Sequence, residues 1–200
     1  EGRRRPPLPS TRRRISPLDV HFSQVRVRSE FRDGRPLELA TSLIRPVREE
    51  EGDEPGFFLE APFPPIEVVQ WRCKLRDEQT GRPRVDPKTG GELYDVQDRW
   101  FTLDNRRLHC LQKAAVAVWP ARVEVDVAEV HGEGPGLRTR HRQLRKFRTL
   151  DRGRSVLVGG RGEGETLARW SWREAVGAAA DDDPEPEAGD CFVQMRRRPR

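Results

Sequence analysis

The apolar residues of this 200-residue chain are gathered between Ile15 and Val158, and blocks of charge stand on either side of them. Any hydrophobic core must come from that stretch. Residues 1–14 hold six arginines and one glutamate, residues 181–190 six acids, and residues 196–200 four arginines. These blocks contribute +5, −6 and +4 to a net charge of +5, which leaves only +2 on the remainder. The basicity therefore lies mostly in the ends and is poor evidence for a nucleic-acid-binding face on the folded part. With 34% hydrophobic and 36% charged residues, part of the chain is expected not to fold, and the length suits one domain with tails or at most two small domains.

Composition excludes other classes. No apolar run reaches the roughly 18 residues of a membrane-spanning helix. Cys73, Cys110 and Cys191 are odd in number and widely spaced, which gives neither a disulfide framework nor a zinc-finger pattern. A reducing, intracellular compartment is the simpler assumption, with cytoplasm, nucleus and organelle left open. Because the sequence opens on Glu1 rather than Met, a leader or larger N-terminal region is expected before it, and the chain itself shows no signal-peptide core. Among the 38 basic residues only Lys74, Lys88, Lys113 and Lys146 are lysine. Arginine suits forked contacts to anions, although a compositional bias in the coding sequence produces the same skew.

Read along the chain, residues 1–14 form an expected disordered basic arm. Residues 20–23 read as a short strand, and Asp33-Gly34 as a turn. Leu37, Leu39, Ala40, Leu43 and Ile44 follow Pro36 at helical spacing, predicting a helix near 36–45 that Pro46 ends, with an acidic loop at 48–56. Residues 66–71 and 99–103 read as strands that pair across an excursion at 75–97 rich in turn chemistry. A helix over 105–117, with Asp104 as N-cap, presents Leu108, Leu111, Ala115 and Val118 on its apolar face. Val123, Val125 and Val127 alternate in a half-buried strand. A basic helix over 138–147 and a closing strand at 155–158 complete an α+β domain over 15–158: a small mixed sheet with packed helices. Residues 159–200 read as a flexible charged tail containing a short helix anchored by Trp170 and Trp172. The glycine-rich 159–165 lacks both the P-loop lysine and dinucleotide spacing.

The candidate site is the strand-to-helix turn Asp104, Asn105, Arg106, Arg107. Backbone N–H groups are free at a helix start, the helix dipole adds positive potential there, and two guanidinium forks can add charge-assisted hydrogen bonds. The alternative is an ordinary helix cap with surface arginines paired to acids. Asp33 and Asp104 could together contribute to a Mg²⁺ site. His109, Cys110 and Cys73 are metal-ligand types but lack a fourth. His21 reads as a strand-surface residue, and Trp71, Trp100 and Trp119 as core. Arg138 to Arg148 is a dense basic run that could meet nucleic acid or an acidic protein, as could the basic ends.

Four boxes in order resemble the ParB/sulfiredoxin-like family. They are Phe22 to Phe31, Pro65-Ile66-Glu67-Val68, Trp100 to Leu108 around the turn, and Pro120 to Val125. Together they span roughly residues 18–130. The resemblance implies that Arg106 and Arg107 contact a phosphate, with Gln24, Arg26 and Arg28 in support. It implies a nucleotide, with Mg²⁺ as a possible companion, as ligand, and phosphoryl-transfer or nuclease-type chemistry if the protein is an enzyme. Asp104-Asn105 stands where the family has Gly-Glu or Gly-Cys, so sulfiredoxin chemistry lacks its nucleophile and no catalytic residue carries over. A catalytically inactive protein-interaction domain and a basic DNA-binding module are the competing expectations.

Overall fold

The computed structural model of the protein describes residues 10–49, 56–130, 147–159, 167–178 and 192–194. Its centre is the antiparallel pair β6 (Ile66–Lys74) and β7 (Glu92–Thr102), in which Val69 lies opposite Phe101 and Gln70 opposite Trp100. Side chains alternate across a strand. Ile66 and Val68 of β6 enter the main core on one face, while Val69 and Cys73 join Phe101 in a second cluster on the other. Trp71 and Phe147 pack against that second cluster edge to face, 5.8 Å apart. β6 thus carries buried residues on both faces, although Glu67, Gln70 and Arg72 interrupt its apolar run.

Around this pair the sheet is mixed. β8 (Arg122–Val130) runs parallel to β6, with Ile66 opposite Val127. β1 (Ser10–Ile15) lies antiparallel on the other edge of β8, where Arg13 meets the same Val127. β5 (Gly56–Glu60) is parallel to β8 and antiparallel to β4 (Arg45–Glu49). β2 (Val20–His21) runs parallel to β7, and β11 (Phe192–Gln194) runs antiparallel to it, both on the edge away from β6. A second sheet joins β3 (Arg26–Arg28) parallel to β9 (Val156–Gly159), with β10 (Ala168–Trp170) antiparallel to β9. Helix α1 (Leu37–Ser42) packs on α2 (Asn105–Val116), whose Leu108, Leu111 and Ala115 are buried. α3 (Trp172–Ala175) touches α2 as well. The molecule is thus an α+β fold with a large mixed sheet and few helices.

Several boundaries differ from the sequence-based expectation. Residues 10–14, assigned to a disordered arm, form most of β1. Their arginines find partners: Arg13 with Glu129 at 3.3 Å and over the Trp100 ring, Arg14 with Glu49 at 2.9 Å. Residues 168–170 and 192–194, assigned to a flexible tail, are strands. The helix starting at Leu37 ends at Ser42, and Pro46 lies inside β4 rather than merely stopping a helix. β4 ends the strand order, and an edge strand tolerates the missing proline N–H. Residues 75–91 are not a loose excursion. Two turns at Asp77 and Asp86 and the bridges Arg76 to Pro83 and Val85 to Glu92 fold them back on the hairpin. The basic helix over 138–147 and the glycine-rich 160–165 lie outside the described residues, apart from Phe147 and Arg148.

Gln112 is the polar residue that ties these layers together. It is buried, its Nε2 donates to the carbonyls of Pro17 (3.2 Å) and Val20 (3.1 Å), and its Oε1 accepts from Trp170 Nε1 (3.3 Å). Gly153 holds β2 from outside the sheet. Its carbonyl accepts the Phe22 N–H at 2.8 Å, its φ is +77°, and an added Cβ would meet the Phe22 carbonyl at 2.2 Å. Gly153→Ala is therefore expected to destabilise the fold by at least about 2 kcal/mol, since left-handed strain and a backbone clash act together. Urea unfolding of the two proteins side by side measures this, and equal midpoints would contradict it.

Candidate functional site

The turn between β7 and α2 is clasped from two sides. On the β6 side, the Glu67 carbonyl accepts from Leu103 N (2.9 Å) and from Thr102 Oγ1 (3.2 Å), and the Glu67 N–H donates to Asp104 Oδ2 (2.9 Å). On the β2–β3 side, Asn105 Oδ1 accepts the Ser23 N–H at 2.8 Å and its Nδ2 donates to Ser23 Oγ at 3.0 Å. Asp104 sits at the N-cap position but makes no capping bond with its side chain, contrary to the sequence-based expectation. Its carboxylate serves Glu67 instead, and its other oxygen faces Arg107 at 3.3 Å. Asn105 is buried and both ends of its amide are engaged. It positions the site and is not available to a ligand.

Fixing Ser23 beside the start of α2 brings β3 alongside it. A cleft of about 830 Å³ opens there, and all seven residues expected at the site, Gln24, Arg26, Arg28, Asp104, Asn105, Arg106 and Arg107, lie on its wall. The structure adds Arg32, Arg35, Phe31 and Phe63, which the sequence reading had not assigned to the site. Arg32 and Arg35 flank the Asp33-Gly34 turn, and their spacing from Arg28 was the available signal.

Six arginines and two aspartates line this cleft. Arg35 is bridged to Asp33 at 3.3 Å and Arg107 to Asp104 at 3.3 Å. Among the described residues Arg106 has no carboxylate ion-pair partner. Its Nη1 donates to the Glu30 carbonyl at 2.8 Å, and its guanidinium lies 5.7 Å from the centroid of Phe31. Burial lowers the pKa of Arg106, and the neighbouring charges of Arg32, Arg28 and Arg107 lower it further, with only Asp104 opposing. Burial is the larger cause of that shift, and the three neighbouring cations add to it. The Nε of Arg35 is buried without a hydrogen-bond partner.

Asp33 and Asp104 both line the cleft, but each carboxylate is held by an arginine. Among the described residues no three His, Cys, Asp or Glu side chains gather to hold a metal ion. With both carboxylates engaged, the described residues offer no ready donor set for a divalent cation. Cys73 and Cys110 lie in different clusters, the first beside Thr149 Oγ1 at 3.3 Å and the second near the Leu37 carbonyl at 3.5 Å. Burial raises the pKa of both thiols, which opposes a nucleophilic role.

His21, expected at a strand surface, is buried with its ring 5.5 Å from that of Phe101, because β2 is covered in its parallel register against β7. Trp119, expected in the core, is 45% exposed and faces Trp172. No protein-family model, curated protein or solved structure matches this chain.

His21 and His109 are neutral in the fold, each with its pKa pushed down to about 4, first by burial and then by nearby cations, Arg99 and Lys113 respectively. Both take up protons more readily when unfolded, so their contribution is complete above pH 6.5 and is lost as pH falls toward 4. Each histidine accounts for a loss of about 3 kcal/mol across that window. Urea unfolding of wild type and of the His21→Phe/His109→Leu pair at pH 7.5 and 4.5 reads the difference. The variant is expected to lose less stability on acidification, and parallel losses would refute the assignment.

Proposed function

We propose that this protein is a divergent ParB/sulfiredoxin-like module whose cleft binds a phosphate-bearing ligand, with a nucleotide as the class the family resemblance implies. The observation that supports the reading is the set Arg28, Arg32 and Arg106, which crowd one open cleft with no carboxylate paired to any of them among the described residues. Such an arrangement costs energy while it is empty and is relieved by an anion, whose oxygens can take forked hydrogen bonds from guanidinium groups. The start of α2 opens on the same cleft. The Asp104 side chain does not cap it, so the helix end adds to the positive potential.

A competing reading is a protein-interaction domain that retains the architecture without chemistry. The full engagement of Asn105 with Ser23 favours it over an enzyme, because this position supplies no acid and no nucleophile.

A thermal-shift screen over nucleotides and inorganic phosphate, with and without Mg²⁺, tests the proposal. At a ligand concentration near 100 times Kd, Tm is expected to rise by roughly 5–10 °C. The shift should disappear in Arg106→Ala/Arg107→Ala, whose own Tm should stay within about 3 °C of wild type because both side chains are partly exposed. No shift with any of these ligands would leave the interaction domain as the better reading.

A further inference from the structure

We infer that the occupant of the arginine cleft is a single-stranded nucleic acid rather than a free nucleotide, an inference that rests on the phosphate-ligand reading above. Three features of the cleft point to an extended strand.

The first is the way charge is laid out. Arg26 and Arg28 flank the buried Val27 on β3, so both project from one face, about 6.6 Å apart along the strand. One sugar–phosphate repeat spans that distance. Arg32 follows on the next loop, and Arg106 faces it from α2. The cations thus reach the cleft from two sides, β3 and its following loop on one and α2 on the other. With Arg35 and Arg107 paired to aspartates, none of the other four, Arg26, Arg28, Arg32 and Arg106, forms an ion pair with a carboxylate among the described residues.

The second is a pair of rings in the lining, both of which also pack against the main core. Phe31 and Phe63 stand 6.3 Å apart, tilted by 44°, and both are only partly buried where they line the cleft. Guanidinium groups lie over both, Arg35 and Arg106 at Phe31 and Arg107 at Phe63, with distances between 5.4 and 5.9 Å. Unstacked bases lie on aromatic faces and on arginine planes, and this contact tolerates any base. A duplex keeps its bases stacked inside and would leave both rings unused.

The third is what the cleft lacks. Among the described residues, its polar side chains other than arginine are Gln24, the two paired aspartates and Asn105, whose amide is engaged by Ser23. A site selective for one free nucleotide needs several convergent polar groups to read a base and ribose. Cations, rings and a volume of about 830 Å³ suit a strand whose backbone is tracked and whose bases are stacked.

Fluorescence anisotropy with the full chain and a labelled twelve-nucleotide oligothymidylate tests this, with a twelve-base-pair hairpin and thymidine triphosphate as competitors. The single strand is expected to bind at least tenfold tighter than either competitor. Arg28→Ala/Arg32→Ala should weaken it and reduce the slope of log K against log salt by about 1.4, at roughly 0.7 per lost phosphate contact. Phe31→Leu/Phe63→Leu keeps apolar bulk and charge, so it should weaken binding about tenfold while leaving the salt slope unchanged. The arginine-rich ends contribute equally to every variant and cancel in these differences. Strand binding that is indifferent to both cleft variants overturns the inference. So does thymidine triphosphate binding as tightly as the strand with the same sensitivity to Arg28→Ala/Arg32→Ala, although the phosphate-ligand reading then stands. If strand, triphosphate and inorganic phosphate all ignore the cleft substitutions, both readings fall.

Discussion

The side chain of Asn105 holds Ser23, 82 positions earlier in the chain, and the layout of the cleft depends on that contact. One amide satisfies a backbone donor and a hydroxyl in a buried setting, where leaving either unpaired would cost on the order of 1–3 kcal/mol. The clasp sets the residues after Ser23 against the first turn of α2, and β3 continues from there with Arg26 and Arg28. Asp104 does the same on the other side through Glu67. Two neighbouring polar side chains at a helix start thus act as anchors, which leaves the charged pair after them to face outward.

The interior of the sheet was readable because it obeys local rules. Residues 66–71 and 99–103 carry the β-branched and aromatic runs of strands buried on both faces, and the helix beginning at Asn105 has an apolar stripe at helical spacing. What local rules cannot convey is a partner distant in sequence. Asn105 looked like a ligand contact because Ser23, which engages both ends of its amide, lies 82 positions away. His21 looked exposed because nothing nearby announces that a two-residue strand will lie parallel to β7. β4 was missed because Pro46 is usually informative as a helix stop, and its place on a sheet edge depends on β5 arriving beside it. The seven residues expected at the site sit in short motifs and line one cleft, whereas Phe63 sits in a proline-rich link with no motif of its own.

Arginine plays two physically different parts in this molecule, and what stands opposite each one decides which. Arg13, Arg14, Arg45 and Arg72 face carboxylates across or beside strands, at separations between 2.7 and 3.3 Å. Pairs of this kind on a surface contribute little, typically under about 1 kcal/mol, and serve chiefly to let basic strands pack without repulsion. Arg28, Arg32 and Arg106 crowd a concave surface where low-dielectric walls strengthen the field between them. Counting charge over the whole chain merges these groups, which is why net charge was a poor guide to the cleft where these cations gather.

The pairing of β1 with β8 has a practical corollary. Six residues of β1 cover an edge of β8 that would otherwise present a row of open N–H and C=O groups. Exposed edges of this length invite pairing with another copy and the growth of aggregates. Shortening the protein at Ile15, where its obviously apolar sequence begins, would therefore leave a molecule inclined to self-associate, even though mostly arginines and small polar residues had been cut away.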